Sequence, residues 1–378
     1  MAATRLQRPL TVLQILPELE GGGVERGTLE LGRHLVEQGQ RSLVLAAGGR
    51  LAAELVAAGS THIDWPVGRK SPATLRFVPR LRRLLVDERV DILHVRSRLP
   101  AWIAWLAWRG LDPARRPWFV STVHGLYSVG RYSAIMTRGE RVIAVSETVR
   151  RYLRAHYPGL DPFRIRVIPR GVDPVAFPHG YRPDREWLAA WQRTHPRPGG
   201  ARVLTLPGRL TRLKGHHDFI DLLAALRRRG HEVYGLIVGG EHSRRRRYAE
   251  ELRERVRREG LAQRVRFTGQ RGDLREIMAV SDLVLALSTQ PEAFGRTALE
   301  ALSLGVPVVV YDHGGVGEIL ATVYPSGRVP LRDGAALAAT VERHLAAPPP
   351  VPAAHPFPLA TMLERTLALY RELTTGTP

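Results

Sequence analysis

The chain has 378 residues, 44% hydrophobic and 24% charged, enough to bury a full core and to form two domains. It contains no cysteine, which excludes disulfide frameworks, thiolate catalysis and thiolate metal sites. The formal net charge of +20 divides as +12 over residues 1–180 and +8 over the remainder, so the basic field belongs to the whole molecule. Such a field draws anionic membrane surfaces, polyanionic substrates or nucleic acid, and does not choose among them.

The N-terminal apolar run is short and strand-like, and Glu18 and Glu20 follow it, which argues against a secretory signal. No run approaches the roughly 18 to 20 apolar residues that a spanning helix needs; the most tempting, Leu99 to Trp108, is bounded by Arg98 and Arg109 and reads as a buried helix. Short β-branched runs then alternate with amphipathic stretches, the pattern of an α/β chain with parallel sheets. Strands are expected at 11–16, 42–46, 91–95, 119–123, 142–145 and 165–169, and the pattern restarts at 203–207, 234–238, 265–269, 283–287 and 307–311. The expected organisation is a first Rossmann-like domain over 1–180, a linker over 181–200 containing the Pro- and Gly-rich THPRPGG, and a second Rossmann-like domain over 201–354. A terminal helix within 355–378, with Leu363, Leu367 and Tyr370 on one face, is expected to pack on the first domain.

Doubly wound domains bind ligands beyond the carboxyl ends of their strands, and the candidate motifs fall there. PGRLTRLKGHHDFI places Arg209 and Lys214 on a strand-to-helix loop. An arginine's planar fork and a lysine's mobile charge are complementary ligands for a diphosphate, although two surface cations would read the same way. QPEAFGRTALEA places Glu292 before, and Glu300 one turn inside, a helix beginning near Gly295. The helix dipole favours an anion at the Phe294-Gly295 turn, and carboxylates accept from paired hydroxyls. Taken alone, the two glutamates could be a helix-start acid and an exposed helix acid. Together with YDHGGVGE after the last strand, the three motifs form a combined signal.

These residues resemble the retaining nucleotide-sugar glycosyltransferases of family 4, with the GT-B fold of two facing Rossmann-like domains around an interdomain cleft and a C-terminal helix crossing back to the first domain. The likeness runs from GGGVERG (Gly21 to Gly27) to the terminal helix. Through HVRSRLPAW, TVHGLY and VIPRGVD it is most similar to bacterial transferases of lipopolysaccharide core and related envelope glycans. The resemblance implies that Arg209 and Lys214 hold the donor diphosphate, that Glu292 meets donor-sugar hydroxyls, and that amides around Phe294 and Gly295 assist at the phosphates. It further implies that Glu300 binds the ribose, that Gly22 and Gly23 let a loop approach the reacting centre, and that His124 lies near the transferred sugar. Glu25, Arg96, Arg98 and Arg170 are acceptor-side candidates. Arg170 stands where many relatives carry asparagine, which suggests an anionic acceptor or a structural ion pair.

The implied reaction is transfer of a hexosyl unit to a lipid-linked or phosphorylated glycan at the anionic cytoplasmic face of an inner membrane, with no metal and no nucleic-acid partner. Asp-x-Asp, Walker-A and G-x-G-x-x-G patterns do not occur, and His216 and His217 are adjacent rather than at metal-ligand spacing. They read as surface or helix-entry residues. The run SRRRRY (Ser243 to Tyr248) reads as a solvated basic face, the border of a nucleotide site or a contact for a phosphorylated acceptor. Two rival readings are a nucleic-acid-binding protein on the same fold, which leaves Glu292 and Glu300 unexplained, and a sugar epimerase or synthase with a soluble acceptor.

Overall fold

The computed structural model describes residues 8–241 and 246–376. Its contacts divide the chain into two units: unit 1 runs to Arg170 and resumes at Ala360, and unit 2 is Gly171–Leu359.

Unit 1 contains β1 (Thr11–Glu18), α1 (Gly23–Glu37), β2 (Arg41–Ala47), α2 (Ala52–Ala57), β3 (Thr61–Asp64), α3 (Phe77–Asp87), β4 (Ile92–Val95), α4 (Arg98–Arg109), β5 (Trp118–Val123), β6 (Arg141–Ala144), α5 (Glu147–His156) and β7 (Ile165–Val167). The seven strands are parallel in the order β3-β2-β1-β4-β5-β6-β7. Helices cover both faces of such a sheet, so its strands read as continuous apolar runs rather than alternating ones. Val12, Leu13, Ile15 and Leu16 of β1 are all fully buried. Strand order reverses between β1 and β4, and the loops leaving those two strands are where a ligand is expected.

Unit 2 contains α6 (Arg185–Thr194), β8 (Arg202–Pro207), α7 (His216–Arg228), β9 (Val233–Val238), α8 (Arg246–Arg258), β10 (Val265–Gly269), α9 (Leu274–Ala279), β11 (Leu283–Ala286), α10 (Arg296–Ser303), β12 (Val308–Tyr311), α11 (Gly314–Val323), β13 (Arg328–Val329) and α12 (Gly334–Ala346). Its six strands follow the order β10-β9-β8-β11-β12-β13, with the reversal between β8 and β11. Phe219, Leu223, Leu285 and Tyr311 lie in the main core beside this sheet.

The last helix, α13 (Leu359–Thr375), belongs to unit 1 from Ala360 onward. Its Leu363, Leu367 and Tyr370 are buried. Glu372 pairs with Arg141 and Arg166, each at 3.1 Å, and Arg365 donates to the Val167 carbonyl at 2.9 Å. Within unit 2 the entering and leaving segments run side by side: Val172 N donates to Phe357 O at 3.1 Å and Leu359 N to Val172 O at 2.9 Å.

Three features differ from the sequence expectations. β3 and β13 have no counterpart among the expected strands, because THID and the two-residue RV are short edge strands with little apolar character. Unit 2 begins at Gly171, so residues 171–180 do not belong with the first domain. The stretch 181–200 is not an extended linker: it holds α6, whose Trp187 and Trp191 pack on Val203, Tyr234 and Leu236. The Trp187 indole N–H also donates to Asp273 at 2.8 Å. An amphipathic helix carrying two tryptophans gains more by packing than as a solvated connection.

Candidate active site

The loop after β8 leaves through Gly208 and carries Arg209 and Lys214 before α7. Arg209 is exposed and has no side-chain partner among the described residues. Lys214 Nζ donates to Glu292 Oε1 at 2.6 Å, joining the loop after β8 to the loop after β11. Ser288 also donates to Glu292 Oε1, and His313 Nε2 lies 2.6 Å from Ser288 O. Burial opposes ionisation of Glu292, but the Lys214 charge, hydrogen bonds from Lys214 and Ser288, and His313 outweigh it and hold the carboxyl below its ordinary range.

The Glu292–Gly295 loop is held by backbone. Gly315 N donates to Glu292 O at 2.7 Å, and Gly295 (φ +99) lies so close to Val316 that a Cβ would meet it at 2.6 Å. Phe294 is buried against Phe357. Gly295 is the N-cap of α10 and no side chain caps that helix, which leaves its first N–H groups to an anion or water. Glu300 accepts from Arg296 Nε at 2.8 Å on the same helix. The structure therefore joins Lys214 and Glu292 directly and places Phe294, Gly295 and Glu300 on the adjoining loop and helix. Ser288 and His313 are not among the site candidates named from the sequence, although His313 lies within the YDHGGVGE motif after the last strand and Ser288 on the loop that carries Glu292.

His216 departs from the surface placement. It opens α7, as a helix-entry residue does, but is fully buried edge-on to Tyr248, and burial pulls its pKa down to about 4. The basic run at Ser243 to Arg245 lies outside the described residues; Arg247 is exposed and Tyr248 buried.

In unit 1, Gly22 and Gly23 are exposed at the start of α1 and the Glu25 carboxylate folds back beside Gly22. Below them lies a buried polar cluster at the carboxyl ends of β1, β4 and β5. Arg96, 4% exposed, donates to the Gln14 side-chain carbonyl, and Gln14 Nε2 donates to Thr28 O at 3.1 Å. His94 sits between the Thr122 hydroxyl and the Tyr370 hydroxyl, each at 2.6 Å. His124 is half-buried with its Nε2 shielded and unpaired. Burial, reinforced by Arg96, keeps both histidines neutral, with pKa values well below the ordinary imidazole value. Arg170, 6% exposed, donates to Gly23 O at 2.5 Å.

Arg96 and Arg170 are thus both largely buried, and both line the same pocket of unit 1. Arg98 does come nearer the surface: it donates to Ser133 at 3.2 Å and lies over the rings of Tyr127 and Tyr132 at 4.8 and 5.3 Å. Gln14 and Tyr370, apolar-strand and terminal-helix residues respectively, carried no sequence signal for this cluster.

Two doubly wound units with charged loops at both switch points define the class. Residues 21–175 match the Glycosyltransferase Family 4 model and residues 189–348 the Glycosyl transferases group 1 model; the chain belongs to these glycosyltransferases, with the GT-B fold. It is 30% identical over 324 residues to a component of the human phosphatidylinositol N-acetylglucosaminyltransferase, an alignment covering 79% of this chain and 61% of that one. It is 31% identical over 254 residues to the D-inositol 3-phosphate glycosyltransferase of Jonesia denitrificans, covering 60% and 56%. The chain thus spans about three fifths of the length of these curated relatives. Among solved structures, a glycosyltransferase from Rickettsia africae superposes with a TM-score of 0.83 at 27% identity, over 97% of this chain and 98% of that one.

Proposed function

We propose that the protein transfers a hexosyl unit, with retention at the anomeric carbon, from a nucleotide diphosphate sugar to a hydroxyl of a phosphorylated, lipid-linked envelope glycan such as a lipopolysaccharide core. The observation that carries this reading is the Lys214–Glu292 pair at 2.6 Å beside the uncapped N-terminus of α10. A diphosphate arriving there would draw Lys214 from Glu292, join it with exposed Arg209 and the first amides of α10, and free the Glu292 carboxylate for sugar hydroxyls. Glu300 would take the ribose diol. These cations stabilise the charge that develops on the departing diphosphate, the role a metal fills elsewhere. In the retaining scheme that phosphate also accepts the acceptor proton, so no protein nucleophile is needed.

Unit 1 is assigned the acceptor through Arg98 and Glu25, with Gly22, Gly23 and His124 toward the transferred sugar. The neutral state of His124 suits a hydrogen bond to a sugar hydroxyl or phosphate oxygen. The inositol phosphate and phosphatidylinositol named for two relatives support an anionic acceptor. The +20 charge supports work at an anionic cytoplasmic membrane face, and no helix among the described residues is long and apolar enough to cross a membrane.

The test is calorimetry and thermal shift of the purified protein with UDP, GDP, ADP and their common sugars, without added metal. One nucleotide should stabilise the protein selectively, and Lys214→Ala and Glu300→Ala should each weaken its binding about 100-fold or more. Absence of nucleotide binding together with salt-sensitive binding to RNA or DNA would overturn the reading. Hydrolysis or epimerisation of the donor with no glycan product would replace it with the epimerase or synthase.

A further inference from the structure

Beside the N-terminal turns of α1 the structure holds a partly open pocket of about 20 Å³ whose polar lining is His94, Arg96, Thr122, Arg170 and Thr366, set among Gly27 and apolar side chains. A space of roughly 10 to 15 Å³ suffices for one water, so this cavity takes one or two waters or one ion of about that size. The polar part of its wall offers guanidinium, hydroxyl and imidazole groups, and its lining includes no carboxylate.

Arg96 is the key. It is 4% exposed, its hydrogen-bond partner is the neutral amide of Gln14, and its Nε is buried without a partner. Burial pulls the guanidinium down to about 10, offset in part through space by Tyr370, Glu30 and Glu25. The neighbouring histidines, held neutral, contribute no counter-charge. Buried charges in proteins are normally paired, because desolvation of an unpaired ion is costly. Arg170, whose guanidinium already donates to Gly23 O, also reaches this wall, and does so because residue 27 is glycine: a Cβ there would fall 2.1 Å from Arg170 Nη2.

We propose that this cavity is a binding site for a small monovalent anion of the chloride class, held by Arg96, Arg170 and the Thr122 hydroxyl. The ion completes the charge balance of Arg96 and ties the loop after β4 to the first turns of α1. It is distinct from the diphosphate site of unit 2 and does not depend on the chain being a transferase.

The experiment is thermal unfolding of the full chain in sodium chloride or bromide at constant ionic strength, balanced with sodium gluconate, for the wild type and Arg96→Gln. The wild-type transition should rise saturably, by roughly 3–6 °C at a hundredfold excess over the dissociation constant, and Arg96→Gln should lose the saturable part. Bromide-soaked wild-type crystals supply a readout that needs no variant: an anomalous peak within hydrogen-bond distance of Arg96 is expected. Equal shifts in both proteins with no anomalous peak would mean that the cavity holds water, and would overturn the proposal. Saturation by phosphate or sulfate but not by halide would overturn it too, since the site would then belong to a larger oxyanion.

Discussion

The two units share a topology and place charge at the same point of it, yet they settle that charge in opposite ways. In unit 2, half-exposed Lys214 meets a carboxylate at 2.6 Å, and backbone hydrogen bonds hold the loop that carries it. In unit 1, Arg96 is almost wholly buried and rests on an amide. An ion pair that is easily re-partnered suits a ligand that arrives and leaves, whereas a buried cation with a neutral partner suits a permanent occupant. The difference also lies in what fixes each site: close backbone approach in unit 2, side-chain packing in unit 1.

The sharpest break of that comparison uses two glycines. At Gly215 (φ +71) a Cβ would lie 2.0 Å from the Leu287 carbonyl oxygen, a backbone atom. Gly215→Ala should therefore destabilise unit 2 by more than about 3 kcal/mol, read as a fall in the urea midpoint. At Gly27 the obstacle is the end of the Arg170 side chain. Overpacking there is partly offset by the better helix propensity of alanine, so Gly27→Ala should cost only about 1 kcal/mol. Equal losses would remove the distinction between a backbone-fixed and a side-chain-fixed site.

Acid provides the next test. His94, His124 and His216 all have folded pKa values below the unfolded one, so the unfolded chain binds more protons below about pH 6.5 and stability falls as pH drops. Each such histidine adds up to about 1.4 kcal/mol per pH unit, and the His216 share continues down to about pH 4. Glu292, whose folded pKa is also lowered, loses its contribution in the acid range below the ordinary carboxyl value. Urea midpoints between pH 7 and 5 should fall steadily, and His216→Gln should flatten the slope. The smallest effect is expected from Tyr370→Phe, which removes one buried hydrogen bond to His94 and should cost about 1 kcal/mol, seen as a small drop in the unfolding temperature.

The unit 2 motifs were legible because they are local. Arg209 and Lys214 share one loop, Glu292 and Gly295 another, and each follows a strand that its apolar run announces. The fold was legible for the same reason, since eleven apolar runs locate eleven of the strands. The unit 1 cluster was not, because Gln14, Arg96 and Tyr370 come from widely separated segments. Nothing in LQIL or LALY distinguishes the residue that will face a buried arginine. The tryptophans of α6 were hidden by the prolines and glycines that follow them.

The side-by-side run of Val172 and the segment Phe357–Leu359 has a consequence for synthesis. Unit 2 is a continuous stretch whose ends meet, so it can close as soon as it leaves the ribosome. Unit 1, begun earlier, lacks α13 until that insertion has been made. At roughly 5–20 residues per second this is a wait on the order of ten seconds or more, during which His94 has no Tyr370 and Arg141 and Arg166 have no Glu372. The first-made half of the protein is thus the last to finish, and a ribosome that stalls or a protease that clips near residue 359 would release a completed unit 2 attached to an unfinished unit 1.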